Sequence, residues 1–241
     1  MLLIWSVVVF AAILRAFTGF GFALAAVPVF SLFMAPAQAV VLSASLTLAV
    51  SLATLRSYWG GYPLLPMAPM IGMSLPGTAL GAWILREISP QQFRLWIGLA
   101  VIAACLLLTW YRPRRHRPRP VLTGGVGLGS GLLNGAFAIP GPPVIIYAMA
   151  VEADPRRSRA LLMTFFLFAA IIALCSYAAA GFVTARSPWL FLLALPAMLL
   201  GDRLGFYLFH RHGNALYRRV ALLALLAIGV TITAQALFGS G

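Results

Sequence analysis

A single arginine interrupts the apolar sequence at the start of the chain. Arg15 separates the run MLLIWSVVVFAAIL from a second apolar stretch that opens with TGFG. A charged side chain in such surroundings is costly, and by default it marks a ligand pathway or a paired site. Its planar guanidinium suits two-point binding of a carboxylate, sulfonate or sulfite oxyanion. If residues 2–14 form a complete short helix, Arg15 instead extends to the water interface, and the sequence leaves both interpretations open.

Two apolar stretches contain residues that break helices. The first is ILRAFTGFGFALAAVP, and the second is GLLNGAFAIPGPPVIIY. A break frees backbone N–H and C=O groups, and paired breaks in two halves of a chain point to a binding site between them. The candidate ligand residues at the breaks are Gly19, Gly21, Asn134, Gly135, Gly141 and Pro142. The amide of Asn134 either donates to the same anion as Arg15 or caps a helix end.

Hydroxyl residues follow one face of the third apolar segment. Ser43, Thr47, Ser51 and Thr54 recur at spacings of four, four and three, which places them on one side of a helix. Ser43 and Thr47 are therefore candidate donors to an anion. Hydrogen bonds between helices explain such a stripe equally well.

Asp202 is the acidic residue that lies deepest in apolar sequence. It is a candidate for proton coupling. Pairing with Arg203 or Arg211 is the alternative.

Enzyme chemistry has little support in the sequence. The metalloprotease, serine-hydrolase and nucleotide-binding motifs are missing, so we predict no catalytic residues, no metal and no cofactor. Gly127 and Gly131 have the spacing of a tight helix contact.

Composition decides the class of protein. Of the 241 residues, 62% are hydrophobic and 9% are charged, against about 25% charged residues in soluble domains. The sequence predicts an all-α polytopic membrane protein with lipids as partners. The net charge of +13 comes from arginines in short loops, which fits cytoplasmic loops rather than a nucleic-acid partner.

Ten hydrophobic segments can be marked. They lie near residues 2–14, 18–34, 36–56, 62–85, 94–111, 120–138, 141–151, 159–180, 188–209 and 215–238. Segments 2–14, 18–34 and 141–151 are too short to cross a bilayer comfortably. We therefore expect eight to ten segments that include broken or re-entrant helices.

The two halves of the chain resemble each other. LPGTALG at Leu75–Gly81 matches LPAMLLG at Leu195–Gly201. We predict a membrane repeat at 1–111, a basic cytoplasmic linker at 112–120 and a second repeat at 121–241. Five crossings per half would make the repeats inverted, which is favoured, whereas four would make them parallel.

Two paired motifs lie on either side of the basic linker, GFGFALAAVPVF before it and GLLNGAFAIPGPPVIIYAMA after it. With these motifs the sequence resembles the TauE/SafE sulfite exporter family, which is also called the 4-toluene sulfonate uptake permease family. This resemblance implies a carrier for sulfite, sulfoacetate or another organosulfur anion in the bacterial inner membrane. We expect export by alternating access, with a small sulfur-containing anion as partner. An anion channel and a membrane protein without transport activity are the alternatives, and a homodimer is left open.

Overall fold

The chain folds into helices throughout the residues that can be described. The computed structural model describes residues 2–18, 22–110, 117–212 and 214–238, with the side chains of 16–18, 206, 209–212, 214–219 and 221 outside that description. Within these residues there are ten α-helices: α1 (Leu2–Thr18), α2 (Phe22–Phe30), α3 (Pro36–Ala53), α4 (Ala68–Glu87), α5 (Pro90–Trp110), α6 (Pro120–Phe137), α7 (Gly141–Val151), α8 (Pro155–Ala179), α9 (Ser187–His212) and α10 (Asn214–Phe238). The predicted all-α class is confirmed, and each predicted segment shares most of its described residues with one of these helices.

The first helix is longer than its apolar run. We expected the segment to end at residue 14, but α1 continues to Thr18 and holds Arg15 in its last turn. Arginine is a good helix former, so the change in polarity does not end the helix. Gly19 and Gly21 follow directly and lie outside the described residues.

Within the described part of the chain, five helices have the length and composition to cross a membrane. They are α3, α4 with its preceding turn, α5, α8 and the Ser187–Gly205 part of α9. By contrast, α2 has 9 residues and α7 has 11. At about 1.5 Å per residue these two helices are roughly half the thickness of a bilayer core of about 30 Å. The predicted short helices are therefore present.

The helices group into two compact units, and each takes segments from both halves of the chain. The first unit comprises Met1–Leu46, Ile88–Thr109 and Val183–Gly241, and the second comprises Thr47–Glu87 and Trp110–Phe182. The predicted repeats divide the chain by similarity of sequence, whereas these units divide it by packing. The repeats on either side of the basic linker therefore stay a prediction. Residues 111–116 of that linker lie outside the described part of the chain.

In the first unit, α1 packs along α9, and α2 packs against α1 and α10. α5 also approaches α10 closely, because a Cβ on Gly229 would lie 3.2 Å from the carbonyl oxygen of Gly98. Arg94 on α5 donates from Nε to the carbonyl oxygen of Ser31 at 2.9 Å. This bond holds the carboxyl end of the short helix α2.

In the second unit, α4 packs along α6, while α8 contacts α4, α6 and α7. Gly127, Gly131 and Gly135 on α6 lie directly against the backbone of Met70, Ser74 and Thr78 on α4. The tight helix contact predicted from Gly127 and Gly131 is confirmed. Small residues of this kind let helices in a membrane pack backbone to backbone.

The repeated L-P-x-x-x-L-G motif has the same packing role in each unit. Its last glycine in α4, Gly81, lies against Gly135 and Ala136 of α6. Its last glycine in α9, Gly201, lies against Val9 and Ala12 of α1. The motif therefore marks a close helix crossing in both units.

Candidate functional site

Arg15 and Asp202 form an ion pair within the first unit. Nη1 of Arg15 donates to Oδ1 of Asp202 at 2.7 Å, and the two side chains are 14% and 32% exposed. The pair joins the last turn of α1 to α9, immediately after the close crossing at Gly201. The sequence made Asp202 a candidate for proton coupling, with a pair to Arg203 or Arg211 as the alternative. The structure pairs it with Arg15, 187 residues away in the chain.

The second break, between α6 and α7, makes a tight hairpin. Ser130 on α6 donates to the carbonyl oxygen of Pro140, and the hydroxyls of Thr123 and Tyr147 lie 2.7 Å apart. Thr123 lies near the start of α6, and Tyr147 lies in the second half of α7. The short helix α7 therefore returns along α6 in the opposite direction.

Asn134 stabilises this break from the side of α6. Its Nδ2 donates to the carbonyl oxygen of Ala169 on α8 at 2.8 Å. Its own carbonyl oxygen accepts from the N–H of Ala138 at 2.7 Å and from the hydroxyl of the fully buried Tyr177 at 2.6 Å. Ala138 takes the left-handed conformation, with φ 57°, which ends the helix. Asn134 is 2% exposed, so this side chain bridges α6 and α8.

The start of α7 offers few donors to a ligand. The first four N–H groups of a helix normally lack partners, but Pro140, Pro142 and Pro143 have no N–H. Only Gly141 supplies a backbone donor in that turn. Pro142 therefore fixes the direction of the chain and gives no hydrogen bond to an anion.

Gly135 and Gly141 differ in their surroundings. The α-carbon of Gly135 faces the α4 backbone at Thr78 and Ala82, with no space for a side chain. At Gly141 a Cβ would meet only the ends of two side chains, at 3.3 and 3.8 Å. Gly135 is required for close packing, whereas Gly141 is not.

The hydroxyl stripe on α3 has varied contacts. Ser43 is completely buried, and Thr47 is partly buried. Among the described residues, the Oγ of Ser43 and the Oγ1 of Thr78 are buried with no hydrogen-bond partner. A hydroxyl in a helix commonly bonds to the carbonyl four residues before it, as Ser45 does with Val41. Ser43 thus keeps a donor that a ligand could use.

Comparison with known families places this geometry in context. A family model described as Sulfite exporter TauE/SafE matches residues 4–232 of the 241. The chain belongs to the TauE/SafE family. No curated protein and no solved structure matches the chain.

Membership in the TauE/SafE family, together with the five apolar helices, makes the protein a multi-pass integral membrane protein. The family is one of transporters, so the predicted class of function is confirmed at that level. Among the described residues, there is no group of three or more His, Cys, Asp or Glu residues that could hold a metal ion.

A polar cluster in the second unit went unnoticed in the sequence. Glu152 pairs with Arg157 at 3.3 Å, and the guanidinium carbon of Arg157 lies 5.8 Å from the ring centre of Tyr62. Burial, followed by the charges of Tyr147 and Glu152, raises the pKa of the Tyr62 hydroxyl, against a smaller opposing effect of Arg157. The loop before α4 is thus bound to the start of α8, where arginines predict a cytoplasmic face.

We also did not single out Tyr177, Thr78 or the pairing of Arg15 with Asp202 from the sequence. Tyr177 gave no sequence signal, since a tyrosine near the end of an apolar segment is common at membrane interfaces. Thr78 had a usable signal, because it is the polar residue within the repeated L-P-x-x-x-L-G motif. The Arg15–Asp202 pair also had one: the two residues are opposite charges in apolar segments, and such charges pair with each other.

Proposed function

We propose that this TauE/SafE member moves a small sulfur-containing anion across the bacterial inner membrane. Sulfite, sulfoacetate and other organosulfonates are the candidate substrates, and alternating access with net export is the mechanism. The observation that carries the proposal is Arg15, a mostly buried guanidinium in the last turn of α1 directly before a glycine-rich break. The family match to sulfite exporters supports the same class of substrate.

The chemistry of the site follows from the guanidinium. Sulfite and sulfonates present several oxygens on one centre, and two of them match the fork of an arginine. In a setting poor in water the resulting bonds are stronger than on a surface. Arg15 therefore provides both the affinity and the preference for an oxyanion.

Ser43 is the second donor in the proposal. Its hydroxyl is buried without a partner among the described residues, and an unpaired buried hydroxyl is unfavourable by about 1–3 kcal/mol. An anion that accepts this hydrogen bond would recover that free energy. Thr47, one turn further along α3 and partly buried, is a donor of the same type.

The break between α6 and α7 has a structural role in the proposal rather than an electrostatic one. Asn134 already donates to a backbone carbonyl, and Gly135 is pressed against α4. We infer that these residues hold the α6–α7 hairpin in position within the second unit. Gly19 and Gly21, in the corresponding glycine-rich motif of the sequence, lie outside the described residues.

Outward movement of an anion needs no further energy source. The inside-negative potential favours it by about 2.3 kcal/mol per charge for each 100 mV. Proton coupling through Asp202 is the alternative to uncoupled export.

The test is flux in liposomes that contain the purified protein. Wild type should move labelled sulfite or ethanesulfonate with saturation and with stimulation by anion on the opposite side. Arg15→Gln should reduce flux at least tenfold, because it removes the charge that binds the anion. Arg186→Gln, which changes an exposed arginine in the loop before α9, is the matched control and should keep full flux.

Two results would contradict the proposal. Flux that does not saturate and shows no stimulation from the opposite side would indicate a channel. Absence of flux for every sulfur anion, in either direction, would indicate a membrane protein without this transport activity.

A further inference from the structure

Arg15 already has an anionic partner in the structure. The carboxylate of Asp202 occupies its Nη1 at 2.7 Å. Both groups sit on helices at a close crossing, where a Cβ on Gly201 would lie 2.7 Å from the carbonyl oxygen of Val9 and from the Cβ of Ala12. Packing of α9 on α1 therefore holds the carboxylate beside the guanidinium.

The helix crossing itself does not require a charge at this position. In the equivalent motif of α4, the residue after the last glycine is Ala82, which is 3% exposed and packs next to α6. An alanine is thus sufficient after Gly81, whereas aspartate follows Gly201. A paired charge in apolar surroundings adds little net stability, since desolvation offsets the attraction. Asp202 needs a different explanation.

We propose that Asp202 is an internal anion that occupies the Arg15 site until a substrate displaces it. A carboxylate and a sulfonate offer the same acceptor oxygens to one guanidinium, so the two compete. This inference rests on the proposed function and adds the way in which the substrate enters. It also couples substrate binding to the contact between two helices, because a substrate that displaces Asp202 removes the ion pair that joins α1 to α9.

The competing carboxylate also selects among anions. Arg15 and Asp202 together are neutral, so a monoanion leaves one excess negative charge, and a dianion leaves two. Arg203, the next residue, is exposed and lies about 100° round α9 from Asp202. On α10, Arg218 and Arg219 have side chains outside the described part of the chain. Because repulsion in a poorly solvated site is strong, the site favours monoanionic sulfonates over dianions such as sulfate. Among the candidate substrates, sulfoacetate is also a dianion at neutral pH, so it should bind less tightly than the monoanionic sulfonates.

The experiment measures binding of ethanesulfonate and sulfate to the purified full-length protein by calorimetry. Wild type should bind ethanesulfonate more tightly than sulfate. Asp202→Asn should bind ethanesulfonate about tenfold more tightly, which is the size of effect expected from one charged hydrogen bond, and sulfate should gain more than ethanesulfonate. Glu87→Gln, which removes an exposed carboxylate at the end of α4, should leave both affinities unchanged.

The outcomes separate this inference from the proposed function. If wild type binds ethanesulfonate, Arg15→Gln does not, and Asp202→Asn leaves affinity unchanged or weaker, the competition is wrong while the anion site stands. If wild type binds no sulfur anion, or if Arg15→Gln binds as wild type does, both are wrong. Should Asp202→Asn fail to fold, the wild-type preference decides, and tighter binding of sulfate would overturn the inference.

Discussion

The contact between α4 and α6 gives the sharpest test of the structure, because neighbouring glycines of α6 have opposite surroundings. A Cβ on Gly131 would lie 2.5 Å from the carbonyl oxygen of Ser74, and 2.9 and 3.0 Å from its Cα and carbonyl carbon. A Cβ on Gly129 would meet nothing within 4 Å. Replacing each glycine by alanine should therefore change stability in opposite directions.

The magnitude follows from the geometry. Ordinary contact begins at 3.4 Å, so alanine at Gly131 forces the two backbones apart by about 1 Å. Overpacking of this kind costs about 1–3 kcal/mol, and the better helix propensity of alanine returns about 0.5–1 kcal/mol. We expect Gly131→Ala to lose about 1–2 kcal/mol and Gly129→Ala to gain up to about 1 kcal/mol.

The assay is thermal unfolding in detergent, followed by tryptophan fluorescence from the six tryptophans. At about 2–4 °C per kcal/mol for a chain of this size, Gly131→Ala should melt about 2–8 °C below wild type, and Gly129→Ala at or a few degrees above it. A Gly131→Ala protein that melts at or above wild type would refute the close approach of α4 and α6.

Two further changes test the hydrogen bonds that hold the short helices. Tyr177→Phe removes a donor to the carbonyl oxygen of Asn134. Because Ala138 still donates to that oxygen, the free energy of unfolding should fall by only about 1 kcal/mol, which lowers the melting temperature by about 2–4 °C. An unchanged melting temperature would argue against the bond. Arg94→Gln removes the donor to Ser31. It should speed amide hydrogen exchange at the carboxyl end of α2 and leave exchange in α8 unchanged. Equal exchange at α2 in wild type and in Arg94→Gln would contradict this role.

Much of the fold was predictable because it depends on local sequence. The length of each apolar run gave the number of helices, and glycine and proline gave the break before Gly141. The four-residue spacing of Gly127 and Gly131 gave the packing surface of α6. These features rest on helix geometry and on backbone chemistry, which a single segment carries by itself.

The partners of the candidate site were harder to predict, although the opposite charges of Arg15 and Asp202 in two apolar segments gave one signal. For Asp202, pairing with a nearby arginine was the alternative to proton coupling, but its partner Arg15 lies on a helix at the other end of the chain. Asn134 was expected to face an anion or to cap a helix, and instead it donates to Ala169 on α8. Both contacts depend on which helices pack together, and apolar segments of similar length give little information on that choice.

The two breaks also differ in what a ligand can replace. Arg15 and Asn134 each lie three residues before the end of their helix, α1 and α6. Asp202, a partner of Arg15, bonds through its side chain, which can rotate away when a competing anion arrives. The partner of the Asn134 amide is a carbonyl of the α8 backbone, which cannot leave without disturbing the helix. Under the proposed function, ligands exchange at Arg15, while Asn134 supports the hairpin of the second unit. Arg15→Gln should then change the ethanesulfonate affinity measured by calorimetry more than the melting temperature, and Asn134→Ala should do the reverse.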